Sequence, residues 1–452
     1  MADLIIRNGT LVAQSGLRQA DIAVSGGKIE KVGAELSGAG NEIDASGLHV
    51  FPGLIDAHVH FNEPGRTDWE GAASGSRALA AGGGTLFFDM PLNSTPCTIN
   101  AREFDRKCSA LQAAAITDFA LWGGLVPDNV AEMPELAARG VVGFKAFLCD
   151  SGLPEFQRVD DLTLWKGLHQ AAGLGLPVAV HAESQELTVG LARRVLESGG
   201  SGVGDFLSSR PVIAELEAIQ RATLFAGEAG AKLHIVHVSS GRGVVLAAEA
   251  RKGGVDVSIE TCPHYLFFTE EDVERLGAVA KCAPPLRSPV EQAAVWDELL
   301  EGTVDIVASD HSPAPPEMKT GDFFRAWGGI AGVQSTLAVL LERGYHERGL
   351  SLVRIAALLA SAPAERFQIA SKGDIAPGND ADFALVDLGS SFTLNAEDLL
   401  QRHRVSPYIG SKFRGVVRRT IRRGETIFLN GAIDSRSFGK VIKPCIERRT
   451  AA

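Results

Sequence analysis

Side chains of metal-binding types stand at the ends of several apolar runs. His58 and His60 close the run LIDAHVH two residues apart, and the period of a β-strand puts both imidazoles on one face. Four further runs also carry such a residue: Lys145 in VVGFKAFL, His181 in LPVAVH, His237 in LHIVHV and Asp310 in VDIVASD. Nitrogen and oxygen ligands of this kind suit two zinc-like ions. Such a pair of ions can activate water at neutral pH and polarise a carbonyl, so the pattern indicates hydrolysis of a carbonyl or phosphoryl compound.

Lys145 is an unusual residue for an apolar strand. A buried ammonium must find a partner, lose its proton or be modified. One interpretation is an ion pair with Asp310 or Asp150. The other is a carbamate, formed when the neutral amine adds carbon dioxide, whose two oxygens can bridge two metals. The four histidines elsewhere in the pattern favour the carbamate.

Neighbouring residues serve as internal controls for these assignments. Asp310 is expected to reach the site, where a carboxylate can both bind metal and move protons, whereas His311 has the opposite parity. His234 lies three residues before His237 in the same run. It is therefore predicted to face the surrounding helices and to have a structural role.

The elements that must bring these residues together are strands alternating with Ala-rich helical segments. Eight apolar runs carry the strand pattern: LHVFPGLIDAHVH, GGTLFFDM, ITDFALWGG, GVVGFKAFL, LPVAVHAE, AKLHIVHVSS, VDVSIETCP and VDIVASDH. Eight such units predict an α/β fold, a (β/α)8 barrel of the TIM type, with its reactive groups at the carboxyl ends of the strands. A doubly wound open sheet is the alternative, but no GxGxxG motif opens the first unit.

Both ends of the chain read differently from its middle. In residues 1–50, apolar and polar residues alternate as they do in β-strands, and the same pattern returns after residue 373. Neither piece is large enough to bury its own core. We therefore predict one small β-sandwich domain from residues 1–50 and 373–435, a catalytic barrel over 51–372, and a C-terminal tail over 436–452.

Composition narrows the function classes. The 452 residues carry a net charge of −11, which disfavours nucleic acid and anionic membranes as partners. The chain starts without a signal-peptide pattern and has no apolar run of the ~20 residues that span a bilayer, so a cytoplasmic protein is expected. Its six cysteines form no CxxC pair, so neither a disulfide framework nor a cysteine zinc site is expected.

The motifs together resemble the cyclic amidohydrolase family along essentially the whole chain. They are DAHVHFNEPGRTDWEG, MPLNSTP, GFKAFLCDSG, HAES, HVSS, ETCPHYLFF, SDHSP, WGGIAGVQS and APGNDADFALVD. The resemblance implies two divalent ions, usually Zn²⁺, with Co²⁺ or Mn²⁺ as alternatives. His58, His60 and Asp310 would bind the more buried ion, and His181 and His237 the second. Lys145, carboxylated by carbon dioxide, would bridge them.

Within the family, two positions favour the allantoinase branch. Dihydroorotases carry an arginine where this chain has Asn62, and hydantoinases and dihydropyrimidinases carry a tyrosine near the position of Asp150. A neutral, hydrogen-bond-rich ureide suits Asn62 and Asp150 better, and Arg66 and Trp69 also resemble this branch. The reaction implied is opening of the ring amide of allantoin to give allantoate, with Asp310 as the proton carrier.

The resemblance also suggests further substrate contacts and an assembly. Backbone groups near Cys282 and Gly328 would hold the polar edge of the ring, with Asn93 as another candidate. Family members are commonly homotetramers, so a homotetramer is expected here. A hydantoinase, a dihydropyrimidinase, a dihydroorotase or a phosphotriesterase-like enzyme stays open as an alternative function, as does a non-catalytic family member.

Overall fold

The computed structural model describes residues 2–38, 40–435 and 437–446. Its strands are β1 (Leu4–Ala13), β2 (Gly16–Ser25), β3 (Lys28–Gly33), β4 (Asn41–Asp44), β5 (His49–Pro52), β6 (Leu54–Val59), β7 (Gly84–Asp89), β8 (Asp118–Leu121), β9 (Gly123–Gly124), β10 (Phe144–Phe147), β11 (Val178–His181), β12 (Leu233–Ile235), β13 (Val257–Thr261), β14 (Ile306–Val307), β15 (Phe383–Thr393), β16 (Lys412–Arg422), β17 (Glu425–Leu429) and β18 (Ala432–Ile433).

The α-helices are α1 (Ala72–Ala81), α2 (Ala101–Gln112), α3 (Met133–Arg139), α4 (Asp161–Leu174), α5 (Gln185–Glu197), α6 (Val203–Ser209), α7 (Val212–Ala229), α8 (Gly241–Lys252), α9 (Pro263–Phe267), α10 (Glu270–Leu276), α11 (Pro289–Leu300), α12 (Thr336–Val339), α13 (Leu352–Ala356) and α14 (Ala362–Arg366). Short 3-10 turns (Val130–Glu132, Gly277–Ala280, Pro316–Met318, Val333–Ser335, Ala396–Asp398) and two π-helical stretches (Leu340–His346, Ala357–Ser361) complete the helical elements. Across the described residues, every helix is too short or too polar to cross a membrane.

Strands β6 to β14 form the barrel. One parallel sheet runs β6-β7-β8 and another runs β9-β10-β11-β12-β13-β14, with β9 continuing the line of β8 beyond Trp122. The barrel closes between its last and first strands, where His60 N donates to His311 O at 2.8 Å. Each of the eight predicted runs contains a barrel strand, so the predicted (β/α)8 fold is confirmed.

The remaining strands form a mixed nine-stranded sheet drawn from both chain ends. Its halves meet where β5 pairs antiparallel with β15, with Val50 opposite Leu385. Ile6, Val24 and Phe383 lie in one buried cluster of this domain, which therefore has its own core. The predicted β-domain of composite origin is confirmed, whereas its exact boundaries stay a prediction. Of the predicted tail, Arg436 and residues 447–452 lie outside the described residues.

The barrel interior corrects one prediction. His234 does not face the helices, because its ring stacks on Trp122 (6.4 Å between centroids) and meets Phe367 edge-on. These two aromatic residues belong to the buried cluster that fills the barrel below the strand ends. The parity argument failed because β12 ends at Ile235 and the backbone bends at His237, whose φ is 41°. The structural role of His234 as a hydrogen-bonded core histidine fits its position.

Candidate metal centre

A strand irregularity directs His58 and His60 to the carboxyl end of the barrel. The register between β6 and β7 shifts between Asp56 and Val59, and the Asp56 carboxylate fills the distortion by accepting from His58 N (3.2 Å) and Ser309 N (3.0 Å). The two imidazoles lie 5.4 Å apart between centroids, on one face as predicted. Simple alternation alone would not have revealed the bulge that puts them there.

Asp310 meets both of these histidines. Its Oδ1 lies 3.2 Å from His58 Nε2 and 3.3 Å from His60 Nε2. The backbone at Asp310 has a φ of 44°, a conformation that is uncommon outside glycine and concentrated at functional sites. Burial alone would raise the pKa of Asp310, but His58, His60 and His237 lower it well below its usual range. Asp310 is therefore present as the carboxylate anion.

His181 and His237 form a second pair across the same mouth. Their ring centroids lie 4.7 Å apart, and His181 stacks on Phe147 at 4.5 Å. Burial is the main cause that lowers the pKa of both histidines. Burial does the same for His60. Neutral imidazole is the form that binds metal, so these environments favour ligation over protonation.

Lys145 is completely buried between the two groups. It forms no ion pair with Asp310 or Asp150 in the described residues, and its Nζ has no hydrogen-bond partner there. The ammonium lies over the face of Phe147, with 5.0 Å between Nζ and the ring centroid. Desolvation lowers the pKa of Lys145 to about 8. An amine so placed suits modification better than retention as a bare cation.

The donor set fits a pair of divalent ions. His58, His60 and Asp310 offer ligand atoms within 4.8 Å of one another. His60 Nδ1, His237 Nδ1 and Lys145 Nζ are buried and lack partners among the described residues. Buried polar atoms in proteins are almost always hydrogen-bonded, so these unsatisfied nitrogen atoms at the carboxyl end of the barrel support metal binding.

Sequence reasoning missed Glu260, the penultimate residue of β13. His58 Nδ1 donates to Glu260 Oε1 at 2.8 Å, and His234 Nε2 lies 3.1 Å from Oε2. Burial alone would raise the pKa of Glu260, but these two histidines lower it to about 2. The carboxylate thus fixes His58 with Nε2 facing Asp310. The rule that located Asp310 at the end of its strand would have found Glu260 as well.

Two more buried glutamates brace the second histidine pair. His181 Nε2 donates to Glu183 Oε2 at 2.8 Å, which leaves Nδ1 for a metal. Burial would raise the pKa of Glu183, but Arg210 and His181 lower it to about 2. Glu215 accepts from Ser239 N (2.8 Å), two residues beyond His237. Glu183 lies in the motif HAES, whereas the helix residue Glu215 carried no local signal.

Five of the six predicted ligands line a cavity of about 440 Å³, and the sixth, Lys145, is completely buried and does not line it. Four of the five proposed substrate contacts line the cavity too, namely Asn93, Asp150, Cys282 and Gly328. Asn62 does not. Its amide turns to Pro313 O (3.3 Å), and its φ of 62° belongs to the turn after β6. Contact of these residues with substrate stays a prediction.

Comparison with known proteins agrees with this geometry. Residues 49–427 match the model of the Amidohydrolase family, and the chain belongs to that family. A protein named allantoinase from Solibacter usitatus is 61% identical over 445 residues, covering 98% of this chain and 97% of the relative. Another, from Rubrobacter xylanophilus, is 57% identical over 448 residues, covering 99% and 98%. The resemblance inferred from the sequence motifs is confirmed.

A solved structure extends the comparison to the fold. The L-hydantoinase (dihydropyrimidinase) from Arthrobacter aurescens superposes with a TM-score of 0.95 at 33% identity, covering 98% of this chain and 100% of that one. The barrel and the composite β-domain are therefore both features of the solved relatives.

Proposed function

We propose that this protein is an allantoinase, which hydrolyses the cyclic amide of allantoin to allantoate. The observation that carries the proposal is the meeting of His58, His60, Lys145, His181, His237 and Asp310 at one barrel mouth. Full-length relatives named allantoinase support the choice of substrate.

Two metal ions complete the proposed site. His58, His60 and Asp310 would hold one ion, and His181 and His237 the other, with a Lys145 carbamate between them. We propose zinc, with Co²⁺ or Mn²⁺ as alternatives, because imidazole and carboxylate ligands accept all three. When bound, the ions supply a Lewis acid for the ring carbonyl and lower the pKa of the attacking water.

The chain's own groups then handle the protons. Asp310 takes the proton of the attacking water and passes it to the ring nitrogen that leaves when the C–N bond breaks. Glu260 keeps His58 in the tautomer that presents Nε2. Because these groups are buried and fixed beforehand, they need little rearrangement during the reaction.

The ring is proposed to bind along two backbone segments. Among the described residues, the peptide N–H and C=O of Cys282 and of Gly328 have no hydrogen-bond partner. Gly329 N donates to Lys281 O at 2.7 Å, which brings these two segments side by side. Adjacent free donors and acceptors complement the N–H and C=O of a cyclic amide. Asn93 and Asp150 would contact the ureide substituent, and Asn62 would shape the turn beside it.

A substrate panel tests the proposal. Purified protein should open allantoin faster than hydantoin, dihydrouracil or dihydroorotate, and dialysis against a chelator should abolish turnover until Zn²⁺, Co²⁺ or Mn²⁺ is restored. Preference for hydantoin or dihydrouracil would reassign the chain to the activity named for its structural neighbours. A lack of turnover on all four with metal bound would indicate a non-catalytic protein. Light scattering would test the proposed homotetramer, and cell fractionation the proposed cytoplasmic location.

A further inference from the structure

The segment between Asp310 and α12 forms one wall of the cavity. Phe324, Ala326, Trp327, Gly328 and Gly329 all face it. Most of this wall is loop, because within it the structure describes only the 3-10 turns Pro316–Met318 and Val333–Ser335. A substrate contact made by backbone groups needs a backbone that is held in place. The contacts that hold this loop in place are therefore important for the proposed function.

Two lysines donate to the carbonyls of this wall. Lys319 Nζ lies 3.0 Å from Trp327 O and 2.6 Å from Gly329 O. Lys281 Nζ, from the opposite segment, lies 2.5 Å from Ala326 O. The backbone of Lys281 also accepts from Gly329 N. Three of the four carbonyls in the turn from Ala326 to Gly329 thus accept hydrogen bonds from lysine side chains.

The remaining groups of the turn are largely used as well. Ala326 N donates to Asp322 O and Trp327 N donates to Met318 O, both within the loop. Among the backbone groups of the turn that the structure describes, this leaves the N–H and C=O of Gly328 without a partner. The hydrogen-bond pattern therefore leaves the backbone of one residue of the turn, Gly328, available for contact with a ligand.

Burying two lysine side chains without carboxylate partners costs desolvation free energy. This cost indicates that the two side chains have a specific role in holding the loop. Within the described residues, neither ammonium has a carboxylate within ion-pair distance, and Lys281 instead lies over the ring of Phe206 at 4.8 Å. Burial lowers the pKa of Lys319 to about 7 and of Lys281 to about 8. An apolar residue would avoid this desolvation but could not donate to carbonyls.

We propose that Lys281 and Lys319 are positioning residues for ring binding: they turn the carbonyls of Ala326, Trp327 and Gly329 away from the cavity, so that the Gly328 peptide faces the cyclic amide. The inference rests on the proposed function. It concerns binding of the ring rather than its cleavage, because the Gly328 peptide contacts the same ring edge before and during the reaction.

The test replaces each lysine by methionine, which has a side chain of similar length but no hydrogen-bond donor. Lys319→Met and Lys281→Met should each raise KM for allantoin about 10- to 100-fold, because removal of a hydrogen bond to a charged group weakens binding by about this factor. The value of kcat should stay within about threefold of the wild-type value. Lys319→Arg keeps a cation with several donors and should recover most of the loss. Lys232→Met is the matched control, because Lys232 also donates to a carbonyl, that of Gly175 (3.2 Å), but does not line the cavity.

Chymotrypsin gives a second readout that does not depend on substrate. Phe323 and Phe324 lie in the loop, and Phe323 is buried, so release of the loop should speed cleavage there in Lys319→Met but not in Lys232→Met. If wild-type protein fails to open allantoin, the proposed function is wrong, and the protease comparison still decides whether the lysines hold the loop. Kinetics and cleavage matching the control would overturn the inference. A fall in kcat accompanied by loss of metal would also overturn it, because the lysines would then act on the metal centre.

Discussion

The two ends of the barrel each bury a cluster of charged groups around a lysine, and the clusters differ in one respect. At the amino end, Lys372 Nζ is surrounded by Asp118 (2.9 Å), Asp380 (3.0 Å) and Asp382 (2.5 Å). Arg423 adds a second cation on Asp118. At the carboxyl end, Lys145 is also buried but has neither a hydrogen bond nor an ion pair in the described residues.

The difference separates a structural cluster from a functional one. Both the amino-end aspartates and the group of His58, His60 and Asp310 bring metal-binding atoms within 4.8 Å. In the first cluster, cations of the chain already neutralise the carboxylates and join the barrel to the β-domain. In the second, nitrogen atoms are left without partners. Proximity of ligand types is thus a weaker indicator of a metal site than proximity combined with unsatisfied atoms.

The largest expected effect is the loss of the proton carrier at the carboxyl end. Asp310→Asn should lower kcat by about 10²- to 10⁴-fold, the usual contribution of general acid–base catalysis. Much of the metal should remain, because four histidines and Lys145 are unchanged. Steady-state kinetics and elemental analysis of the same preparation measure both quantities. Near-normal turnover would show that another group moves the proton.

Replacing the two buried lysines compares the clusters directly. Lys372→Met leaves three buried carboxylates without their main cation and should cost about 3–5 kcal/mol of unfolding free energy. In chelator-treated protein, Lys145→Met should change that free energy little or increase it, because the ammonium it removes has no partner. Urea unfolding measures both variants. If the two substitutions lowered the free energy of unfolding equally, the two lysine clusters could no longer be distinguished as structural and functional.

Much of this organisation could be predicted from the sequence. The runs ending in His58, His181 and Asp310 predict the barrel and its reactive end, because parallel strands place their carboxyl ends together. The amino-end cluster had no such signal. Lys372 and Asp118 are 254 residues apart, and only the docking of the β-domain brings them together.

Local backbone geometry also could not be predicted from the sequence. The bulge in β6 and the positive φ values of His237 and Asp310 break strict alternation, so parity assigned His234 to the wrong face. A sequence gives the period of an ideal strand, whereas a site at the end of a strand depends on how the strand departs from it.

A smaller effect is expected from the residues that orient the ligands. Glu260→Gln keeps the size of the side chain but weakens the hydrogen bond from His58, so metal affinity or activity should fall about 10- to 100-fold. Competition with a chromogenic chelator measures the affinity. Glu249→Gln, on an exposed position of α8, is the control. If Glu260→Gln binds metal as tightly as the control, the carboxylate only fills space.

The smallest effect should come from a charged contact that is paired and exposed. Arg66 donates to Glu155 Oε1 (2.5 Å) and to Asn93 O (3.2 Å), and its guanidinium lies 5.2 Å from the ring centroid of Trp69. Solvent screens this ion pair, because about a third of the Glu155 side chain is exposed. Arg66→Met should therefore lower the free energy of unfolding by less than about 1 kcal/mol.

The control for this variant is Arg139→Met, which removes another exposed pair, that with Asp105 at 3.0 Å. The two variants should unfold at nearly the same urea concentration. A markedly larger cost for Arg66→Met would mean that the carbonyl of Asn93 and the ring of Trp69 make Arg66 part of the buried framework of the site. Burial and pairing would then have to be judged for the whole contact network of a residue, and not for its ion pair alone.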